Sequence, residues 1–113
     1  MAENCVFCRI AEGSIPAEKV YENDEFVAFR DLNPQAPVHV LLIPRQHFAT
    51  LLDVEDTALL GRALRCVQEV AKQLGLADDG FRVVVNCREN GGQTVYHLHW
   101  HILGGRFMTW PPG

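Results

Sequence analysis

The chain has 113 residues and a formal charge of −4, with 48% hydrophobic and 21% charged side chains. These are ordinary globular values, which exclude wholesale disorder and predict one domain over residues 1–113. The acidic balance argues against nucleic acid or an anionic membrane as the main partner, since both select basic faces.

A single phosphate is still compatible with that charge, because a local nest of N–H groups and imidazoles can hold one. The start, Met1-Ala2-Glu3-Asn4, lacks the basic and then apolar regions of a secretory signal. No apolar run approaches the roughly 20 residues of a membrane span. A cytoplasmic protein is expected, in which the four cysteines stay unpaired and Cys5-x-x-Cys8 reads as metal or redox chemistry. A chain this short buries only about two-thirds of its unfolded surface, so a partner surface would help it.

Residues 4–11 predict a short helix, ended by Gly13 and Ser14-Ile15-Pro16. Lys19–Glu22 and Glu25–Arg30 predict two short strands around the turn residues Asn23-Asp24. Val38–Ile43 is a nearly continuous β-branched and leucine run, the pattern of a buried central strand, and Pro44 stops it. The strongest helix runs from about Val54 to Leu74, with Leu60, Ala63, Leu64, Val67, Val70, Ala71 and Leu74 as one apolar stripe. Gly75 supplies its left-handed stop. Phe81–Cys87 predicts another strand. The loop Asn90-Gly91-Gly92-Gln93 leads to a last strand from about Thr94 to Leu103. The sum is an α+β domain with a mostly antiparallel sheet, one long helix and one short one.

The most informative segment is His97-Leu98-His99-Trp100-His101-Ile102. Strand side chains alternate, so the three histidines share one face, predicted to be accessible, while Leu98, Trp100 and Ile102 point to the core. A plain polar face would mix Lys, Glu, Thr and Ser. A metal triad is a second reading, and nucleophilic chemistry at phosphorus is the third. For that chemistry a neutral imidazole attacks, its other nitrogen is held by an acceptor, and nearby donors stabilise the phosphate oxygens. The Gly91-Gly92-Gln93 loop offers N–H donors and Thr94 a hydroxyl.

With its neighbours this segment resembles the histidine-triad superfamily, in particular the histidine-triad nucleotide-binding proteins that act as purine nucleoside phosphoramidases. The resemblance covers nearly the whole chain. It rests on Ser14-Ile15-Pro16-Ala17, Ala28-Phe29-Arg30-Asp31, Pro34-Gln35-Ala36-Pro37-x-His39, Ile43-Pro44-x-x-His47, Gly91 through His97, Leu103-Gly104-Gly105-Arg106 and Trp110-Pro111-Pro112-Gly113. It implies a homodimer whose two sheets join into one. It implies a nucleotidyl-histidine on His99, with His101 at the phosphate and His39 supporting both. Thr94 stands where close relatives carry serine. Asp31 matches the acceptor of the ribose hydroxyls, which suits a carboxylate. Phe7, Ile10, Phe29 and Leu32 match the apolar walls around the base, although core packing accounts for each taken singly. Asn86 and the N–H groups near Gln93 match phosphate and sugar contacts, and Trp110 the residue that reaches toward the partner's site. A dinucleoside-polyphosphate hydrolase and a nucleotide-sensing scaffold remain alternatives.

Cys5 and Cys8 are spaced to grip one ion, and zinc then needs two further ligands, for which His47 and His97 are candidates. The arrangement resembles superfamily members such as galactose-1-phosphate uridylyltransferases, where such a set holds structural zinc beside the nucleophile. Cys66 reads as a buried or half-buried apolar residue and Cys87 carries no inferred chemistry.

Overall fold

The computed structural model describes residues 4–113. Met1–Glu3, on which part of the signal-peptide reading rests, lie outside the described residues. The elements follow the predicted order: α1 (Val6–Glu12), β1 (Lys19–Glu22), β2 (Phe26–Arg30), β3 (Val38–Pro44), α2 (Thr57–Gln73), β4 (Phe81–Val84) and β5 (Trp100–Gly104). A 3-10 turn, Leu51–Asp53, precedes α2. The five strands form one antiparallel sheet in the order β1-β2-β3-β5-β4.

The strand periodicity decides what each face buries. Phe26, Ala28, Val40, Leu42, Leu98, Trp100 and Ile102 form one core with the apolar side of α2. Val27, Phe29, Leu41 and Ile43 point the other way and pack against Phe7, Ile10 and Ala11 of α1. β3 is therefore buried on both faces, as its unbroken apolar run requires.

Asp56 caps α2, its carboxylate accepting from the N–H groups of Ala58 and Leu59, so the helix begins at Thr57 and not at Val54. It ends where predicted, with Gly75 at φ 76°. The stripe is turned from the expected one. Leu59 and Cys66 are buried with Ala63, Val67, Val70 and Ala71, whereas Leu64 is 52% exposed. Leu60 and Leu74 only flank the core. The helix chose the row that includes the small thiol of Cys66, which packs closely over the sheet, and left one leucine in solvent.

Two strands are shorter than expected. β4 stops at Val84 instead of Cys87, and the chain turns soon after through Arg88, at φ 62°. β5 starts at Trp100 instead of Thr94 because its register would next set Leu98 against Pro44, which has no N–H. The Leu98 N–H donates instead to the Phe48 carbonyl (2.7 Å), and the Pro44 carbonyl is left for a side chain. No helix among the described residues is long and apolar enough to cross a membrane.

The turned stripe is directly testable. Leu59→Ala should cost about 2–5 kcal/mol in urea unfolding, as core truncations do, and Leu64→Ala less than about 0.5. The reverse ranking would contradict the helix orientation.

Candidate functional site

A cavity of about 510 Å³ opens between α1, the ends of β2 and β3, the loop 31–35 and the segment leading into β5. Phe7, Ile10 and Phe29 supply its apolar wall while also belonging to the second core, so wall and packing are one role for them. Leu32 stands fully exposed at its rim. Asp31, His39, Thr94, His99 and His101 line it as well.

The alternation at residues 97–102 is present, but the histidine face is not open to solvent as expected. His97 is completely buried and His99 nearly so, and only His101 is half-exposed. His97 lies on the histidine side of the segment but outside the cavity. The cause is α1, which covers this face: the Phe7 ring meets His97 and His99 edge-on, with centroids 5.9 and 5.2 Å away.

Hydrogen bonds fix which ring nitrogens carry protons. His99 Nδ1–H donates to the His97 carbonyl at 2.7 Å, which leaves the Nε2 lone pair of His99 available. On β3, His39 Nδ1 accepts the Gln35 N–H (3.0 Å), so His39 Nε2–H is the donor to His101 Nδ1 (2.9 Å). His101 consequently presents Nε2–H. An unprotonated ring nitrogen thus stands beside an N–H donor, with ring centroids 4.9 Å apart. The Asp31 carboxylate lies 3.5 Å from His39 Nε2.

Sequence reasoning missed the support behind this relay. Gln35 is held by Arg106, whose guanidinium donates to the Gln35 carbonyl (2.9 and 3.3 Å), and Gly105, at φ 91°, lies so close to Pro37 that a Cβ would sit 2.9 Å from it. The Gly105-Arg106 and Pro34-Gln35-Ala36-Pro37 blocks are therefore two halves of one brace.

Burial keeps these imidazoles neutral. It pushes His101 down to about 4, helped by the neighbouring His99 and His39, with Asp31 opposing. His99 is lowered by burial against the pull of its bond to the His97 carbonyl and of Asp31. His39 is lowered by burial and raised in part by Asp31.

Two predicted contacts, Asn86 and Gln93, fall elsewhere. Asn86 does not line the cavity; its amide donates to the Gly91 carbonyl (2.7 Å) and shapes the glycine loop. Gln93 is buried as a clamp, its side chain donating to the Ala49 and Val95 carbonyls and accepting from the Arg88 N–H. The N–H groups of Gly92 and Gln93 are spent on Glu89 and Arg88, so they are not phosphate donors in this arrangement. Trp110 is 79% exposed beside Arg82 on the β4 edge, away from this chain's own cavity.

Behind the cavity, Cys5, Cys8, His47 and His97 bring four ligand atoms within 4.8 Å of one another. The Nδ1 atoms of His47 and His97 are 3.2 Å apart, and the sulfur-to-Nδ1 separations are 3.2, 3.3 and 3.5 Å. Tetrahedral zinc with ordinary bond lengths needs N···N edges of about 3.3 Å and N···S edges of about 3.5 Å. His97 Nε2–H donates to the Pro44 carbonyl at 2.8 Å, which leaves Nδ1 unprotonated and aimed at the cluster, the usual outer-sphere arrangement of a ligating histidine. The residues fit a zinc ion. They also argue against one metal held by His97, His99 and His101 together, since His97 has Nε2–H on the Pro44 carbonyl and Nδ1 turned to the cysteines, leaving no nitrogen to share with the other two.

The HIT domain family model matches residues 12–108. The chain belongs to the HIT family. A HIT family hydrolase from Legionella pneumophila has the same fold, with a TM-score of 0.94 and 52% identity over 97% of this chain and all of that one. The purine nucleoside phosphoramidase of Escherichia coli is 45% identical over 94% of this chain and 91% of its own. A 14 kDa zinc-binding protein of Brassica juncea is 49% identical, covering 96% and 98%.

The buried histidines make a pH prediction for this HIT domain. His101 has an ordinary value of 6.5 in the unfolded chain and about 4 when folded. Between them the unfolded chain binds a proton that the folded chain refuses, so this group makes stability fall as pH drops through that window. Urea midpoints should slope accordingly, and His101→Gln should flatten the slope; identical slopes would refute the assignment.

Proposed function

We propose that this HIT protein is a hydrolase that cleaves the P–N bond of purine nucleoside phosphoramidates through a covalent intermediate on His99. The observation that carries the reading is the paired polarity of the two cavity imidazoles: a lone pair on His99 Nε2 beside an N–H on His101. The phosphoramidase named among its relatives supports the substrate class. In this mechanism His99 Nε2 attacks phosphorus and the P–N bond breaks. The nitrogen leaves as an amine with a proton relayed by solvent at the Thr94 hydroxyl. His101 donates to a phosphate oxygen through both steps. Water then attacks the nucleotidyl-histidine, yielding the nucleoside monophosphate and neutral His99. Asp31 accepts from the ribose hydroxyls, and Phe7, Ile10, Phe29 and Leu32 enclose the base.

Zinc at Cys5, Cys8, His47 and His97 has a structural part in this reading. Bound there, the ion cross-links α1 to the start of the histidine segment. The chain works as a homodimer joined along β4, an edge strand that presents exposed Phe81 and Val83, with Trp110 reaching to the partner's cavity. Val83→Arg should shift the sedimentation mass toward that of one chain; an unchanged dimer would place the interface elsewhere.

The activity test uses adenosine 5′-phosphoramidate, with mass spectrometry under acid-free conditions. A nucleotidyl adduct should map to His99, and His99→Ala should lose more than about a thousandfold in kcat/KM. Robust turnover by His99→Ala would overturn the mechanism. Faster turnover of a dinucleoside polyphosphate would move the substrate class, and negligible rates on both would favour a nucleotide-sensing scaffold.

A further inference from the structure

We propose that Cys5 and Cys8 form a peroxide-reactive dithiol whose oxidation releases the metal and weakens the nucleotide cavity. The inference rests on the zinc reading above. The two sulfurs are within 4.8 Å of each other, a separation that small rotations of two thiol side chains on one turn of chain can close. They differ in access: Cys5 is half-exposed at the end of α1, whereas Cys8 is buried. An oxidant therefore meets Cys5 first, and Cys8 is positioned to resolve it. The Cys8 N–H donates to Cys5 Sγ (3.3 Å), which holds the two cysteines on one turn of chain. Of the other cysteines, Cys66 is buried on the core-facing side of α2, and Cys87 lies outside the four-ligand cluster.

The reaction balances with hydrogen peroxide as oxidant. The Cys5 thiolate attacks one peroxide oxygen, forming an S–O bond as the O–O bond breaks and hydroxide leaves. The Cys8 thiolate then attacks the Cys5 sulfenic sulfur, forming the disulfide and expelling a second hydroxide. Two thiolates lose two electrons, one peroxide gains them, and two protons complete two waters. A disulfide cannot supply two anionic ligands, so the zinc departs.

The consequence for the cavity follows from what shares the cluster. His97 offers its ring to the metal and its carbonyl to His99 Nδ1. Phe7 sits between the two cysteines and forms part of the cavity wall. Loss of the ion releases both supports together.

The test begins with zinc-loaded full-length protein, its metal content measured beforehand. One equivalent of hydrogen peroxide, followed with a chromogenic zinc indicator, should release about one zinc per disulfide formed. Alkylation of the remaining thiols and peptide mass spectrometry should find the Cys5–Cys8 peptide two hydrogens lighter. The affinity for AMP should fall about tenfold or more and return with a phosphine reductant and added zinc. Cys87→Ser should leave the release unchanged, while Cys5→Ser should form no disulfide. Zinc retained with both thiols intact under excess peroxide would overturn the proposal, as would oxidation at Cys66 or Cys87 first. An unchanged AMP affinity in the oxidised protein would overturn the coupling. A protein that takes up no zinc fails the metal reading itself, which the initial metal measurement shows separately.

Discussion

The structure depends on one constraint, the two-sided alternation of residues 97–102 where the sheet ladder runs out. Leu98, Trp100 and Ile102 must enter the core under α2, because nothing else there can fill that space. That requirement turns His97, His99 and His101 to the opposite side together. Pro44 then prevents the ladder from continuing, and its carbonyl, unable to find a backbone partner, takes the His97 ring instead. The same step gives His97 two duties: its Nδ1 faces the cysteines and its carbonyl orients His99. The Cys/His cluster and the cavity are adjacent because one residue has a side chain in the first and a backbone oxygen beside the second.

Neutrality is the second condition, and burial secures it. A charged imidazole in this layer would lack compensating solvent, so the folded chain holds the histidines unprotonated. Neutral rings have one lone pair and one N–H each, and their chemistry depends on which is where. The assignment propagates from a backbone group: the Gln35 N–H sets His39, and His39 sets His101. Arg106 holds Gln35 in place from the far end of the chain. The overall acidic charge is no obstacle to an anionic substrate, since the groups that would meet its phosphate are N–H donors rather than a positive field.

What could be read from the sequence was whatever local pattern determines. Period two in 97–102, the apolar run of β3, Gly75 after α2 and the pairing of Cys-x-x-Cys with His47 and His97 all had physical reasons visible in the residues themselves. The resemblance supplied the roles proposed for Asp31, Thr94 and His39. What could not be read depended on long-range contacts. Leu59 and Leu64 are equally apolar and only the sheet decides between them. Asn86 and Gln93 carry amides that suit either a ligand or a loop, and here the loop takes them. The accessible histidine face failed as an expectation because α1, seven residues long, covers it from a distant part of the sequence.

That short helix has little stability of its own, since about two turns lies well below the length at which helices persist in water. It is held from three directions. Phe7, Ile10 and Ala11 anchor it to the sheet, Arg45 donates to the Ala11 carbonyl at its C-terminal end (3.0 Å), and Cys5 and Cys8 tie its first turn to His97 and His47. The first two anchors are permanent features of the fold. The third involves thiols and imidazoles, groups whose mutual attraction is weak unless a cation joins them. The wall that Phe7 builds for the cavity therefore has one fixed edge and one edge conditional on the state of the cluster. A more extensive α1 would have positioned the same ring through packing alone, without making the cavity sensitive to what the cysteines bind.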